Sequence, residues 1–220
     1  RQWGDCTAML GENALISGDV QYSITIQNEL LEDARRRRNP LHQGWGLLGI
    51  ARNNIRLGNP AVAVPMLEEA LQILEETPNL ASSIETNSQL SLAYLRLGRH
   101  DKALASVSKT LELSANISPT VSSINLGFAA LADACFGLWE KALRNQLGAD
   151  AEPYQKLAEK AINPILAFEG LSPIGQPVTP YYQGRYEWLT GKAEAALKSW
   201  DKGLHAAQKF NMPYEEGLHR

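Results

Sequence analysis

At 220 residues, with 44% hydrophobic and 20% charged residues and a net charge of −3, the chain has enough apolar content for a folded core. It carries too little basic charge for a nucleic-acid binder to be the default. Cys6 and Cys135 stand far apart and in no C-x-x-C pattern, so they supply no disulfide framework, suit a reducing cytoplasm and are each expected in the core. No run of about eighteen apolar residues is present to span a membrane, and no charged-then-apolar leader marks secretion.

In chain order, the first predicted pair joins a helix near Trp3–Ser17 to one from about Asp19 to Arg37. The run Arg35-Arg36-Arg37-Arg38 closes it, where cations are favoured by the macrodipole and Glu32 and Asp33 lie one turn back. A solvated helix end is the plain reading, and a docking patch for an acid or nucleotide the alternative. Asn39-Pro40 breaks the helix. The second pair runs from about His42 to Leu57 and from Pro60 to Glu76. Pro65 falls where an intrahelical donor is expected, which predicts an irregularity or small kink. Thr77-Pro78-Asn79 ends this pair.

The third pair has the clearest pattern. Leu90, Ala93, Tyr94 and Leu97 recur on one helical face, Ala103, Leu104, Val107 and Leu111 on another, and Gly98 between them is the expected left-handed C-cap. It ends near Ser118-Pro119. The fourth departs from the pattern: a helix from Val121 through Gly137 is continued by Leu138 to Leu143 and extends to about Gln146. Gly148–Pro153 is then the loop and Tyr154–Phe168 the returning helix, with a kink expected at Asn163-Pro164. Glu169–Val178 is the longest expected irregular segment. A fifth pair spans Thr179–Leu189 and Lys192–Phe210, and Asn211 is the expected cap of a further helix opened by Pro213, with Glu215 and Glu216 in its first turn. The units are thus about 1–39, 40–78, 79–118, 119–170 and 171–211, with a last helix starting in 212–220. The start at Arg1 without methionine and the short last helix lead us to expect a fragment of a larger protein that continues beyond Arg220.

The turn glycines Gly18, Gly58 and Gly98 are forty residues apart, followed by Gly137 and Gly191. Seven residues before and five after each glycine stand Gly11 and Ser23, Ala51 and Ala63, Ser91 and Ala103, Ala130 and Ala142, and Gly184 and Ala196. All are Gly, Ala or Ser, as helices crossing tightly require. A fixed period in this range is the mark of a solenoid, so the expected fold class is all-α, an α-solenoid of antiparallel helix pairs in one repeat domain. The lengthened fourth unit makes the match at Gly137 partly accidental.

These triplets resemble tetratricopeptide repeats, here with units of about forty residues. The end of the chain is similar to the C-terminal repeat region of bacterial class III adenylate/guanylate cyclases that carry an AAA-type ATPase. The residues that carry this likeness are Pro173-Ile174-Gly175-Gln176-Pro177, Tyr182-Gln183-Gly184-Arg185-Tyr186-Glu187-Trp188-Leu189, Gly191-Lys192, Ala196-Leu197-Lys198-Ser199-Trp200 and Met212-Pro213-Tyr214-Glu215-Glu216-Gly217-Leu218. The resemblance implies a regulatory repeat region in a multidomain signalling protein of the cytoplasm.

Chemistry-bearing patterns are sparse. His42, His100, His205 and His219 fit no metal spacing, no phosphate loop occurs, and Gly46 and Gly49 follow no strand. We therefore expect no catalysis, cofactor, metal site or nucleic-acid partner. What remains is a surface. In stacked repeats the first helix of each unit lines the concave face. That geometry places Trp45, Leu48, Arg52, Ile55 and Arg56 there, then Ser88, Leu92, Leu95 and Arg96, and later Tyr181, Arg185 and Trp188. Of these, Trp45, Arg52, Arg56, Arg96, Tyr181, Arg185 and Trp188 form the candidate partner-binding set, by residue type; packing in the core is the other reading for each aromatic. The arginines are expected to be exposed, individually replaceable and suited to an acidic or C-terminal segment of a partner domain. The main expectation is a protein-interaction scaffold binding a protein segment or other domains of its parent. The alternative is an effector-sensing domain with a closed pocket for a small molecule.

Overall fold

The computed structural model describes residues 2–77, 79–115, 117 and 122–220. Among these residues the regular elements are eleven α-helices and one 3-10 turn, with no strand, as the apolar spacing predicts. The helices are α1 (Gln2–Ile16), α2 (Val20–Arg37), α3 (Pro40–Arg56), α4 (Pro60–Glu75), α5 (Leu80–Arg96) and α6 (His100–Ser114). There follow α7 (Ser122–Leu143), α8 (Glu152–Glu169), the 3-10 turn Pro173–Gly175, α9 (Val178–Leu189), α10 (Ala193–Lys209) and α11 (Pro213–His219). The expected start at Arg1, the breaks at Pro78 and Ser118-Pro119 and the helix start at Val121 lie outside the described residues.

One turn motif recurs. A residue in the left-handed region closes the helix while its N–H and the next N–H bond back to carbonyls of the last turn, satisfying acceptors a helix end would otherwise leave orphaned. Gly98 has φ 70°, with Gly98 N–H bonded to Leu95 O (3.0 Å) and Arg99 N–H to Tyr94 O (2.9 Å). Gly18, Gly58 and Gly191 do the same, as the spacing predicts. Arg38, Asn145 and Asn211 close α2, α7 and α10 in the same way. This corrects two expectations: α7 stops at Leu143 rather than Gln146, and Asn211 ends α10 while Met212 holds the N-cap position of α11. Among the described residues, Asp19, Asn39 and Asn79 cap the starts of α2, α3 and α5, their side chains accepting from the N–H of Tyr22, His42 and Ser82. Helices α4 and α8 run on through Pro65 and Pro164.

The chain divides into two compact units, Arg1–Leu113 and Ser114–Arg220. In the first, α1 packs on α2, α2 on α3, α3 on α4 and α4 on α5. Leu31, Leu47, Ile50 and Ala70 form part of its core, with Met66 and Ile73 against them. In the second, α7 packs on α8, α8 on α9, α9 on α10 and α10 on α11, and α7 also reaches α9. Cys135 is buried there, whereas Cys6 in the first unit is exposed, contrary to the core position expected of it.

The small residues do what their spacing implies. Ser23, Ala51, Ala63, Ser91, Ala103 and Ala196 have no exposed surface. Ser23 Oγ donates to Gly11 O across the α1–α2 crossing at 2.7 Å, and a Cβ on Gly184 would lie 2.4 Å from the Trp200 indole nitrogen. Gly137 is the accident: it lies inside α7 and turns nothing. Gly46 and Gly49 are packing residues of α3, where a Cβ would meet Leu31 and Gln27 of α2.

Candidate partner-binding faces

The first helices of each unit carry the predicted set, and the structure treats its members differently. In the first unit, Arg56 of α3 donates to Leu15 O of α1 at 3.2 Å, and Arg96 of α5 donates to Ile55 O of α3. The two bonds are one interaction repeated at the forty-residue period. Each guanidinium reaches the C-terminal carbonyls of the preceding first helix, where a cation also meets the negative end of the helix dipole. Leu15 O and Ile55 O already accept the turn N–H of Gly18 and Gly58, and a carbonyl has two lone pairs.

Arg52 departs furthest from expectation. It is 4% exposed and is held between Glu85 of α5, in direct contact, and Glu12 of α1 at 3.7 Å. The expectation of a solvent-facing, replaceable guanidinium fails at this position. Desolvation pushes both carboxyls above their ordinary range, Glu85 up to about 8, and the Arg52 charge opposes this. Of its neighbours, Trp45 is half-buried, donates Nε1–H to Ser82 Oγ of α5 at 2.8 Å and lies tilted beside the His42 ring, itself 3.0 Å from Asp5 of α1. Leu48, Ile55, Ser88, Leu92 and Leu95, expected beside these residues, are buried. The run Arg35–Arg38 is engaged at its start, with Arg35 on Glu69 and Arg36 and Arg37 on Asp33.

In the second unit, Arg185 of α9 bridges to α7, with Asp133 at 3.0 Å and Glu140 at 2.7 Å, over the Phe136 and Tyr181 rings at 4.9 and 5.6 Å. Burial opposes its charge, but Asp133, Tyr181 and Glu140 outweigh that and raise its pKa. Tyr181 is half-buried, edge-on to Tyr182 and His219, and burial pushes its hydroxyl up to about 12. Trp188 is the exception. One turn beyond Arg185, it is 54% exposed, with Leu143 of α7 also exposed beside it. These two, with Glu140, Arg144 and Leu189, line an open pocket of about 240 Å³ between the C-terminal ends of α7 and α9.

The C-terminal residues that carry the cyclase-like resemblance have packing roles. Trp200 of α10 sits on Gly184, donates Nε1–H to Tyr181 O at 3.3 Å and lies 5.9 Å from Trp188. Ser199 donates to Glu187, and Pro177 O accepts from His219 of α11.

The fold belongs to the class of tetratricopeptide-like repeat structures. Two crystal structures carry this. One is described as a "putative kinesin light chain" from Podosopora anserina with nearly identical TPR-like repeats, 15% identical, covering 94% of this chain and 95% of that one with a TM-score of 0.55. The other is BtubC (BKLC) from P. vanneervenii, 19% identical, covering 90% and 84% with a TM-score of 0.56. No protein-family model and no curated protein matches the chain. Among the described residues no three His, Cys, Asp or Glu side chains gather as a metal set, and no helix is long and apolar enough to cross a membrane.

Proposed function

We propose that this chain is a non-catalytic protein-interaction module that binds a protein segment on the first-helix face of residues 114–220, with Trp188 as its anchor. The carrying observation is the exposure of Trp188 beside Leu143 at the mouth of a pocket whose rim bears Glu140 and Arg144. An indole held half out of its own fold beside apolar and charged neighbours has the composition of an interface hot spot. The pocket is open and below the roughly 300–1,000 Å³ typical of sites that enclose a small molecule, which favours a side chain of a protein segment over a small effector. The Arg185 bridge to α7 supports the reading, since it positions α9 and the indole one turn on.

The likeness of Pro173–Pro177, Tyr182–Leu189 and Ala196–Trp200 to cyclase-associated repeats supports a parent of the cytoplasmic signalling type, whose own domains would supply the segment. The test is selection of peptides on the intact chain from a displayed library, with binding followed at the Trp188 indole N–H resonance. The expected result is binders that shift that resonance and lose affinity on Trp188→Ala. Binders that leave it unmoved, or that bind the variant equally, would overturn the assignment.

A further inference from the structure

The forty-residue period puts Trp3, Cys6, Met9, Leu10 and Asn13 of α1 on the positions held by Gln43, Gly46, Gly49, Ile50 and Asn53 in α3, and by Ser83, Thr86, Gln89, Leu90 and Ala93 in α5. In α3 this stripe faces the preceding second helix. Gln43 donates to Ala34 O of α2 at 3.3 Å and Asn53 to Ser23 Oγ at 2.9 Å. A Cβ on Gly46 would lie 2.8 Å from Leu31 Cβ, and one on Gly49 2.4 Å from Gln27 Cδ. In α5, which packs on α4, Thr86, Gln89, Leu90 and Ala93 are all buried. In α1 the same positions face out: Trp3 is 47% exposed, Met9 61% and Leu10 44%, with Cys6 and Asn13 exposed between and beyond them. The stripe bears no charge. The acidic residues of α1 turn elsewhere, Asp5 to His42 and Glu12 to Arg52.

We propose that this face of α1 is the seat of one more second helix, belonging to a further repeat pair carried ahead of α1 by the same polypeptide and packed on α1 as α2 packs on α3. The argument is continuity of an interface already made twice within residues 1–113. Helix α3 is buried between its own partner α4 and the second helix before it, α2, and α5 packs on the second helix before it, α4, while α1 has the partner contact, with α2. Arg37 of α2 lies over the Trp3 ring at 5.8 Å, and the uncharged remainder of the stripe, Cys6, Met9 and Leu10, matches the apolar face of an amphipathic helix. Because Cys6 and Met9 stand where α3 has glycines, the incoming helix sits farther out than α2 does from α3.

The experiment duplicates residues 40–80 directly ahead of residue 1, so that a copy of α4 meets α1 in the register in which α4 meets α5, and follows alkylation of Cys6 by a water-soluble maleimide; Cys135 is buried. The expected result is Cys6 protection of about tenfold or more in the extended chain, a higher melting temperature, and loss of both on Leu10→Asp. Unchanged Cys6 reactivity overturns the proposal, and so does a graft that stays unfolded, since the copied helix then finds no seat. Two measurements on the 220-residue chain complete the test. Dimers that protect Cys6 as concentration rises make a second copy the occupant and overturn it. A combined Trp3→Ser, Met9→Ser, Leu10→Ser variant should keep its melting temperature; a core-like loss of stability shows that the face is already used within the chain and overturns it.

Discussion

Residues 1–113 and 114–220 use the same kind of helix pair to different ends. Where the forty-residue period holds, the polar side chains that recur with it are absorbed by the recurrence: Arg56 and Arg96 close the ends of the helices before them, and Arg52 ties α1, α3 and α5 together from inside. Where the period breaks, at the lengthened α7, its extra turn ends beside α9, leaving Leu143 and Trp188 exposed around a pocket. Regular repetition converts charged residues into structure, and interruption of the repeat leaves apolar side chains exposed beside a pocket.

The strongest way to break this contrast is to remove the two bridging arginines. Above about pH 8, where Glu85 is ionised, Arg52→Ala leaves Glu12 and Glu85 without their cation in a buried site and is expected to cost about 3–5 kcal/mol in urea unfolding. Arg185→Ala is expected to cost less, about 1–3 kcal/mol, because Asp133 and Glu140 both reach solvent. Equal losses would mean that burial of the first cluster is not what separates the units. Next comes packing: Ala103, with no exposed surface, should tolerate leucine only at a cost of roughly 1–3 kcal/mol in the melting curve.

A pH experiment isolates the first unit's cluster. Glu85 holds its proton more tightly folded than unfolded, so its contribution is present at low pH and drains away as pH rises from the ordinary carboxylate range to about 8. Glu85→Gln should flatten that part of the profile of urea midpoint against pH; a profile that keeps its slope places the titration elsewhere. The smallest stability effect belongs to the second unit. Trp188→Ala should change stability by no more than about 0.5 kcal/mol while weakening partner binding, and a core-sized loss would show the indole to be structural.

Much of the architecture was legible because it depends on local chemistry. The three-and-four spacing around Gly98, the helix break at Asn39-Pro40 and the small residues at Ser23 and Ala103 each act within one turn or one crossing, whereas the capping by Asn39 and Asn79 was seen only in the structure. The lengthened α7 was legible for the same reason, since Leu138–Leu143 continue its apolar face. Asn145 and Asn211 were harder to see because asparagine serves both as an N-cap and as a left-handed C-cap. At the end of the chain, Gly184, Trp200 and Pro177 form a packing pattern between α9, α10 and α11.

The arginines mark where sequence reading stops. Period and residue type put Arg52, Arg56, Arg96 and Arg185 on first helices, and rightly so, because helical phase is a property of consecutive residues. Whether a guanidinium on that face meets water, a carbonyl or a carboxylate is settled by residues far away in the chain. Glu85 lies 33 residues from Arg52, Leu15 lies 41 from Arg56, and Glu140 lies 45 from Arg185. Only the stacking of one pair on the next brings these partners within reach, so the inward turn of the arginines, like the outward turn of Trp188, is decided by tertiary packing.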